Sequence, residues 1–456
     1  MPSPQLTVEA AFDDLALSNP SFPIASDAIS VLQSPTEFYD RLLHNIRHAT
    51  RRISLSSLYI GTDELSRGLV AALVEAVAAN PQLEVTIVLD YSRGQRGGNT
   101  RNSSVAVLQP LLAAHPANVR LHLYRVPQLE HWAAKRLPPP FDETIGVSHS
   151  KVYLCDDTLI MSGANLSGDY FTQRQDRYVQ LESRHLALFY HTFVEVMATH
   201  AHAVAIDRAG APVVSPPAAD AAEFANALSD LQQFPSVTEP SNATTWLMPT
   251  IQFSPLRVLQ DQHTLSRLVA LLPAAASIDI ASGYLNFPPF LTEALVDRGL
   301  ALDVLTAAPS ANGFFNGNGI KGALPMAYSL IEANFYDRFD RDLLTLREYN
   351  RPNWTFHGKG LWVHSAPDGP VDLTIVGSSN FGQRSYGRDL ESQVYIFTKD
   401  PVLQATFRDE YKRLHSHSET VTDALWKRPD RQLKGVMCWK YGHWIRPATR
   451  AVLSFL

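Results

Sequence analysis

Two stretches of this sequence carry the same polar residues in the same order. The first reads HSKVYLCDDTLIMSGANLSG over residues 149–168, and the second reads HGKGLWVHSAPDGPVDLTIVGSSNFG over residues 357–382. Each begins with a His, has a Lys two residues later, and reaches an Asn after an apolar run. The His-to-Asn separations are 16 (165 minus 149) and 23 (380 minus 357), so one loop differs in length. A repeated constellation of this kind indicates an internally duplicated chain.

An acidic residue follows each Asn at the same distance. Asp176 lies 11 residues after Asn165, and Glu391 lies 11 residues after Asn380. A weaker likeness links two predicted strands whose residues share the same spacings, 225 positions apart: Ile53, Ser57 and Tyr59, and then Ile278, Ser282 and Tyr284.

The segments around these motifs alternate between helical and strand-like patterns. Apolar residues three or four apart predict helices, and apolar β-branched runs predict strands. One predicted helix begins after Ser34, and the others cover 65–79, 105–114, 258–272 and 324–335. The predicted strands cover 53–59, 83–89, 119–124, 278–282 and 302–306. This alternation favours an α/β fold with helices on both faces of each sheet.

Changes in composition divide the chain into parts. A segment rich in Ala, Pro and Ser separates two α/β regions and contains a short helix predicted over 218–232. The predicted parts are an N-terminal extension (1–30), a first domain (31–208), a linker (209–243) and a second domain (244–456), whose end, 436–456, is a candidate for membrane contact.

Size and composition narrow the class of protein. The chain of 456 residues is 45% hydrophobic and 18% charged, which suits two packed globular halves. Its formal net charge of -6 argues against a nucleic-acid partner, and its two cysteines exclude a disulfide framework. No apolar run is long enough to span a bilayer, and the first twenty residues contain no Arg or Lys, so no transit peptide is visible.

The repeated residues suit phosphoryl transfer. Residues two apart on a strand point to the same face, so each His and its Lys would converge on one ligand. The Lys ammonium and the Asn amide would stabilise the negative charge on a pentacoordinate phosphorus. A carboxylate behind each imidazole would fix its tautomer. Two imidazoles allow one to attack phosphorus while the other protonates the leaving oxygen.

The motifs resemble those of the phospholipase D superfamily, whose signature H-x-K-x(4)-D, followed by G-S-x-N, occurs twice in one chain. The first copy matches H-x-K-x(4)-D in full and ends at Asp156, a supporting residue of the motif. In the second copy His364 stands where the Asp is expected. The resemblance implies two α/β/α sandwich halves related by a pseudo-twofold axis, with one active site at their interface.

Further stretches are similar to the eukaryotic, mitochondrial-type phosphatidylglycerophosphate synthases, a family that also lacks the Asp of the second motif. They are HSKVYL (149–154), SGANLS (162–167), DYFT (169–172), RQDRY (174–178), NGFF (312–315), WTFH (354–357) and KGLW (359–362). The similarity runs from about Val31 to the C-terminus and is weakest in the linker. It implies phosphatidyl transfer from CDP-diacylglycerol to glycerol 3-phosphate, which gives phosphatidylglycerophosphate and CMP and is the committed step toward phosphatidylglycerol and cardiolipin.

The resemblance also implies roles for the motif residues. His149 attacks the phosphatidyl phosphorus to form a phosphatidyl-histidine, and His357 protonates the departing CMP. Asp176 and Glu391 orient the imidazoles. The residues that hold the phosphate are Lys151, Asn165, Lys359 and Asn380. The other lineage that catalyses this reaction has a metal-binding D-G-x-x-A-R motif, which this sequence lacks, so we expect a metal-independent mechanism without a cofactor.

Other residues are candidates for substrate binding. Arg93 and Arg96 lie on a Gly-rich loop after a predicted strand and suit a pyrophosphate or the acceptor's phosphate, with a surface turn as the alternative. The remaining candidates lie near the motifs, and each has an ion pair or a core position as its alternative: Arg174, Arg177, Arg384, Arg388, Tyr59 and Tyr284.

Because CDP-diacylglycerol lies in a bilayer, the resemblance requires contact with an anionic membrane surface. Phe314 and Phe315, in a Gly-rich loop, are candidates for insertion. Trp439 and Trp444 lie in a C-terminal segment of aromatic, basic and apolar residues that suits a lipid interface or, alternatively, a helix packed on the core. The resemblance implies a peripheral position on the matrix side of the mitochondrial inner membrane.

Two other kinds of function stay open at this point, as does the oligomeric state. The first is another phosphodiesterase of the same superfamily, namely a lipid hydrolase, a cardiolipin synthase or a nuclease. The second is a non-catalytic lipid-binding scaffold. The net charge of -6 disfavours a nuclease, and the intact His and Lys of both motifs disfavour a scaffold.

Overall fold

Two β-sheets lie on either side of a shared apolar core in the computed structural model of the chain, which describes residues 7–97, 102–130, 142–237, 243–313 and 324–428. Within these residues the first sheet has nine strands: β2 (Ile29–Leu32), β3 (Arg52–Ser57), β4 (Glu84–Asp90), β5 (Val119–Tyr124), β6 (Val152–Cys155), β7 (Thr158–Ser162), β9 (Tyr178–Glu182), β10 (His202–Ile206) and β11 (Pro212–Val214). The second has ten: β1 (Phe22–Ile24), β12 (Thr245–Phe253), β13 (Val258–Leu259), β14 (Ser277–Ser282), β15 (Ala301–Ala307), β16 (Leu344–Tyr349), β18 (Lys359–His364), β19 (Val371–Gly377), β20 (Glu391–Thr398) and β21 (Ser418–Thr420). A separate parallel pair consists of β8 (Arg174–Gln175) and β17 (Thr355–Phe356).

The helices pack on the faces of these sheets. In the described residues they are α1 (Val8–Ala16), α2 (Pro35–His48), α3 (Glu64–Ala79), α4 (Tyr91–Gly94), α5 (Ser104–Ala114), α6 (Gly168–Thr172), α7 (Arg184–Thr199), α8 (Ala221–Gln232), α9 (Gln260–Leu271), α10 (Pro289–Arg298), α11 (Leu324–Tyr336), α12 (Gln383–Gly387) and α13 (Pro401–His415). Side-chain caps begin several of them; Ser34, for example, accepts from the Glu37 N–H at the start of α2. The helices and strands expected from hydrophobic periodicity are confirmed, with ends that differ by a few residues.

The strand order confirms that the two halves share one fold. The first sheet contains the run β5-β4-β3-β6-β7-β9, and the second contains the run β16-β15-β14-β18-β19-β20. In both runs the first three strands are parallel and the next three join antiparallel. The register agrees as well, because Ile53 faces Cys155 in one half and Ile278 faces Val363, its equivalent, in the other.

The weaker likeness between two strands reflects a shared turn. Ser57 ends β3 and donates its hydroxyl to the carbonyl of Tyr59 at 3.2 Å. Ser282 ends β14 and donates in the same way to the carbonyl of Tyr284 at 3.1 Å. The same residues therefore end the equivalent strand in each half, and they bring a tyrosine to the same place.

Three apolar clusters give the molecule its layers. One lies under α2, α3 and α5 on the outer face of the first sheet, and another lies under α1, α9 and α10 on the outer face of the second. The third lies between the sheets and includes the apolar faces of α7 and α13. The helix that follows β9 and the helix that follows β20 therefore both pack in the seam.

The N-terminal extension and the linker both belong to the folded body. Helix α1 packs in the outer cluster of the second half, and β1 pairs with β12. In the linker, β11 extends the first sheet, and α8 contributes Phe224 and Leu228 to the central cluster. The helix expected over 218–232 is observed as α8.

Candidate active site

His149 is held by groups from the second half of the chain. Its main-chain N–H donates to the carbonyl of Leu390 at 2.9 Å. Its Nδ1 lies 3.0 and 3.1 Å from the two carboxylate oxygens of Glu391, the first residue of β20. A carboxylate at Nδ1 fixes the imidazole tautomer, so Nε2 is the nitrogen that is available for chemistry.

His357 makes the equivalent contacts with the first half. Its main-chain N–H donates to the carbonyl of Gln175 at 2.8 Å, as an extension of the β8–β17 pair. Its Nδ1 lies 2.6 Å from Oδ2 of Asp176. Each imidazole is thus oriented by the acid of the opposite copy, and a single half lacks one partner of each pair.

The two lysines lie beside the histidines as the motif spacing predicts. The Nζ of Lys151 donates to the carbonyl of His149 at 2.6 Å. The Nζ of Lys359 donates to the carbonyl of His357 at 2.9 Å and lies 2.7 Å from Nδ1 of the same ring. A Cβ at Gly163 would lie 2.5 Å from Nζ of Lys359, so the glycine in the first motif makes room for the lysine of the second.

The two asparagines leave buried polar atoms without partners. Among the described residues, neither Oδ1 of Asn165 nor Oδ1 of Asn380 has a hydrogen-bond partner. A buried polar atom without a partner costs about 1–3 kcal/mol, so such atoms require an explanation. An Asn side-chain amide can present either its oxygen or its NH₂ group to a ligand. The amides of Asn165 and Asn380 could therefore donate hydrogen bonds to a bound phosphate.

Tyr170 lies beside Nε2 of His357, and the sequence analysis did not single it out as a site residue. Its hydroxyl accepts from Nδ2 of Asn165 at 3.1 Å and lies 3.3 Å from Nε2 of His357. The equivalent position in the second half, also five residues after the Asn, is Ser385, whose hydroxyl donates to Glu391 at 2.7 Å. The only sequence signal was this difference between the two copies.

Burial lowers the pKa of the basic groups of the site. Burial is the main cause that lowers the pKa of His149, and it lowers the pKa of His357 well below its ordinary value, with Lys359 acting in the same direction. Burial and Lys359 together lower the pKa of Lys151 to about 7. A bound phosphate would add negative charge beside Asp176 and Glu391 and would raise these pKa values again.

The two acids respond differently to their surroundings. Burial raises the pKa of Asp176, against the opposing effect of Lys359. Burial acts the same way on Glu391, but His149 and Lys151 outweigh it and lower the pKa of that carboxyl. The surroundings therefore favour the ionised carboxylate at Glu391 and disfavour it at Asp176.

Two of the predicted substrate-binding residues, Arg174 and Tyr284, lie near His357, and a third, Tyr59, lies further from it. Arg174 donates to Oγ1 of Thr355 at 3.0 Å and stacks on the ring of Tyr170 at 4.7 Å. Tyr284 packs edge-on to His357, with ring centroids 5.9 Å apart. Tyr59 lies further out, where its hydroxyl is 3.3 Å from Oγ of Ser167.

The predicted basic residues on the other side of the site meet on one short segment. Arg93 and Arg96 both pair with the carboxylate of Glu143. Arg384 donates to the main-chain carbonyl of Glu143, and Arg388 donates to that of Thr144.

Arg177 has a structural role instead of the substrate contact that its sequence position suggested. It is fully buried and pairs with Glu410 of α13 at 2.8 Å. It also donates to the carbonyl of Ile375 and to Oγ1 of Thr374, and it stacks on Trp362 at 4.2 Å. Because Arg177 comes from the first half and these partners come from the second, the side chain joins the halves.

The position of the Asp in H-x-K-x(4)-D, occupied by Asp156 and His364, lies away from the imidazoles in both halves. Asp156 accepts from the main-chain N–H groups of Thr50, Arg51 and Arg52 at 2.8–3.0 Å and so anchors the start of β3. His364 instead lies 2.8 Å from Oδ2 of Asp279 on β14. Each residue ties its strand to the neighbouring strand, which explains why the replacement is compatible with the fold.

The candidates for membrane contact, Phe314, Phe315, Trp439 and Trp444, lie outside the described residues. Across the part of the chain that the structure describes, no helix combines the length and the apolar character needed to cross a bilayer. The same residues contain no group of three or more His, Cys, Asp or Glu side chains that could hold a metal ion.

Comparison with solved structures supports the fold. The phosphatidylserine synthase of Haemophilus influenzae Rd KW20 superposes with a TM-score of 0.74 over 98% of this chain and 100% of that chain, at 20% sequence identity. The fold and the site together define a class of protein: a duplicated phospholipase D-type fold in which each half contributes a His, a Lys, an Asn and an acid to one site.

Curated relatives identify the family within this class. A CDP-diacylglycerol–glycerol-3-phosphate 3-phosphatidyltransferase, mitochondrial, of Homo sapiens is 33% identical over 96% of this chain and 84% of its own length. A probable enzyme of the same name from Dictyostelium discoideum is 32% identical over 91% of this chain and 77% of its own length. A scan against protein-family models finds no match. The chain belongs to the family of CDP-diacylglycerol–glycerol-3-phosphate 3-phosphatidyltransferases.

Proposed function

We propose that this chain transfers a phosphatidyl group from CDP-diacylglycerol to glycerol 3-phosphate through a phosphatidyl-histidine intermediate. The products are phosphatidylglycerophosphate and CMP. Membership of the family supports the choice of substrates. The observation that carries the mechanism is the pair of crossed contacts, His149 with Glu391 and His357 with Asp176.

In the first step, Nε2 of His149 attacks the phosphatidyl phosphorus. The anionic diphosphate of the bound donor raises the pKa of His357, so that its imidazole binds a proton. The N–P bond then forms as the bond to the CMP oxygen breaks, and His357 donates that proton to the oxygen. One asymmetry of the site supports this assignment. No described residue is hydrogen-bonded to Nε2 of His149, whereas Nε2 of His357 lies 3.3 Å from the hydroxyl of Tyr170.

In the second step, a hydroxyl of glycerol 3-phosphate attacks the same phosphorus. His357, now neutral, removes the hydroxyl proton, and the N–P bond breaks to release neutral His149. Lys151, Lys359 and the two asparagines stabilise the charge on the phosphoryl oxygens in both steps, and a metal ion is not required.

The compartment and the membrane belong to the same proposal. The relatives' names support a mitochondrial enzyme, and we place this chain on the matrix side of the inner membrane, where it contacts an anionic lipid surface as a peripheral protein. The net charge of -6 argues against contact with nucleic acid.

The test is release of CMP from CDP-diacylglycerol in detergent micelles, with and without glycerol 3-phosphate and with a metal chelator present. We expect multiple-turnover release of CMP that requires the acceptor, persists in chelator and is lost in His149→Ala. An adduct of labelled lipid trapped on His357 would reverse the order of the histidines. Equal release without acceptor would identify a hydrolase, and loss of release in chelator would refute the metal-independent mechanism.

A further inference from the structure

An arginine cluster, Arg93, Arg96 and Arg384, lies against the chain segment that leads into His149 but takes no part in the steps above. Arg93 and Arg96 flank the carboxylate of Glu143, with Nη1 of Arg93 3.8 Å from Oε2. Nη2 of Arg384, from the second half, donates to the main-chain carbonyl of Glu143 at 2.7 Å. Three guanidiniums from both halves thus meet around one residue.

Two carboxylates tie this cluster to the main chain that carries His149. Asp90 caps α4 with Oδ1, and its Oδ2 accepts from the N–H of Ser148 at 3.0 Å. Asp389 pairs with the guanidinium of Arg384 and accepts from the N–H of Val147 at 2.9 Å. The cluster is therefore held at a fixed position next to the nucleophile.

The same cluster reaches the other side of the site through aromatic contacts. The guanidinium of Arg93 lies 4.2 Å above the ring of Tyr59. The hydroxyl of Tyr59 contacts Ser167, which directly precedes α6, the helix that carries Tyr170. Tyr59 and Ser167 thus connect the arginine cluster with the helix that carries Tyr170.

Glu143 is the ion-pair partner of both Arg93 and Arg96, while Asp389 pairs with Arg384 and Asp142 is a further acidic neighbour of Arg96. Two guanidiniums share the single carboxylate of Glu143, and the side chains of Arg93 and Glu143 are only 19% and 18% exposed. Burial and the neighbouring Arg93 lower the pKa of Arg96, and burial raises the pKa of Glu143. A phosphomonoester carries a charge of about -1.5 to -2 at neutral pH and three acceptor oxygens, so it satisfies two arginines better than one carboxylate does.

We infer that Arg93 and Arg96 bind the phosphomonoester of the acceptor, and that Glu143 is the internal counter-ion which this phosphate displaces. The inference rests on the proposed function, because it assigns the acceptor's place in that reaction. CMP, the leaving group of the donor, is also a phosphomonoester. The experiment must therefore distinguish binding of the acceptor from binding of the donor.

The first experiment compares two reactions of the arginine variants. Transfer to glycerol 3-phosphate reports the acceptor, and exchange of labelled CMP into CDP-diacylglycerol without acceptor reports the donor alone. For Arg93→Ala and Arg96→Ala we expect the KM for glycerol 3-phosphate to rise about tenfold or more, as loss of a charge-assisted hydrogen bond implies, with unchanged CMP exchange. Arg120→Ala, which removes an exposed arginine paired with Glu195, is the matched control and should change neither.

Two results would overturn the inference. If CMP exchange slows while the KM for glycerol 3-phosphate stays the same, the cluster binds the donor. If neither changes, it binds no phosphate. Glu143→Gln should lower the KM for glycerol 3-phosphate, since it removes the competing carboxylate, and a rise in that KM would make Glu143 a support for the arginines instead of a displaced counter-ion.

A binding measurement keeps this result separate from the proposed function. Glycerol 3-phosphate should raise the unfolding temperature of the wild type and raise it less in Arg96→Ala. If the wild type shows this difference but transfers no phosphatidyl group, the proposed function fails and the phosphate site stands. If it transfers but the variants bind glycerol 3-phosphate like the wild type, only the inference fails.

Discussion

At the residue scale, the two copies of the site differ at the position five residues after the Asn. Tyr170 contacts the reacting nitrogen of His357, whereas Ser385 turns to Glu391 and leaves Nε2 of His149 without a described partner. A symmetric site would give both imidazoles the same role. The contact with Tyr170 is thus a physical basis for different roles, since it places a hydroxyl where a proton is to be transferred.

Tyr170→Phe removes this hydroxyl and keeps the ring. We expect kcat to fall about tenfold, the worth of one hydrogen bond to a reacting group, with little change in unfolding temperature. The pH profile of kcat should shift as well, because the environment of His357 changes. Tyr39→Phe, which loses a hydroxyl bonded to the carbonyl of Leu65, is the control. An unchanged pH profile would assign Tyr170 to packing alone.

Lys151 provides a second prediction at this scale, because its pKa is about 7 in the free site. At pH 8 its amine is largely neutral, and a bound phosphate anion raises the pKa again, so binding takes up a proton. Affinity for inorganic phosphate should therefore fall as pH rises above 7. Calorimetry at pH 8 in buffers of different ionisation enthalpy measures the uptake. Lys151→Met should abolish it, and Lys399→Met, at an exposed ion pair with Glu9, should not.

At the element scale, short connections between the halves place the catalytic groups. The pair β8–β17 brings Asp176 to His357, and the isolated bridge between Ser148 and Leu390 brings Glu391 to His149. Both are parallel pairings between chain segments more than 180 residues apart. These contacts lie outside the main sheets, so hydrophobic alternation does not reveal them.

Gly163 is the test of how the motifs fit together at this scale. In Gly163→Ala the new Cβ would lie 2.5 Å from Cδ and Nζ of Lys359. This flexible end can move, so the unfolding temperature should change little. The ammonium then leaves its position, and we expect kcat to fall by about 10- to 100-fold. Gly387→Ala, where the added Cβ meets nothing within 4 Å, is the control, and equal activity of both variants would refute the requirement.

At the scale of the whole molecule, the seam is both the central core and the site. The apolar cluster between the sheets draws residues from both halves, and the buried ion pair Arg177–Glu410 crosses it. The N-terminal extension adds to this linkage, because α1 and β1 precede the first half in sequence but pack on the second. The halves therefore depend on each other for stability as well as for catalysis.

Arg177→Met tests that dependence. Removal of one partner of a buried ion pair costs about 3–5 kcal/mol, because the other charge stays buried. We expect a clear fall in unfolding temperature, and partial recovery when Glu410→Leu is added. Arg120→Met, at an exposed pair with Glu195, should cost about 1 kcal/mol or less. Equal effects of the two single substitutions would show that the pair across the seam adds nothing.

Much of this protein was predictable from sequence for identifiable reasons. Buried strands and amphipathic helices have their own periodicities, so the alternation of helices and strands and its repetition could be predicted. The spacing of His, Lys, Asn and acid was legible too, because a duplicated motif keeps its order. Arg177 shows the limit: an arginine beside a catalytic acid has the same letter whether it meets a substrate or Glu410.

The sequence by itself therefore determined that two copies of one fold carry two histidines, two lysines, two asparagines and two acids. Only the tertiary structure decided that Asp176 serves His357 and Glu391 serves His149, that Tyr170 separates the two imidazoles, and that Glu143 occupies the arginine cluster. The physical reason is that strand and helix patterns follow local burial, whereas these contacts form only when the two sheets close on a common core.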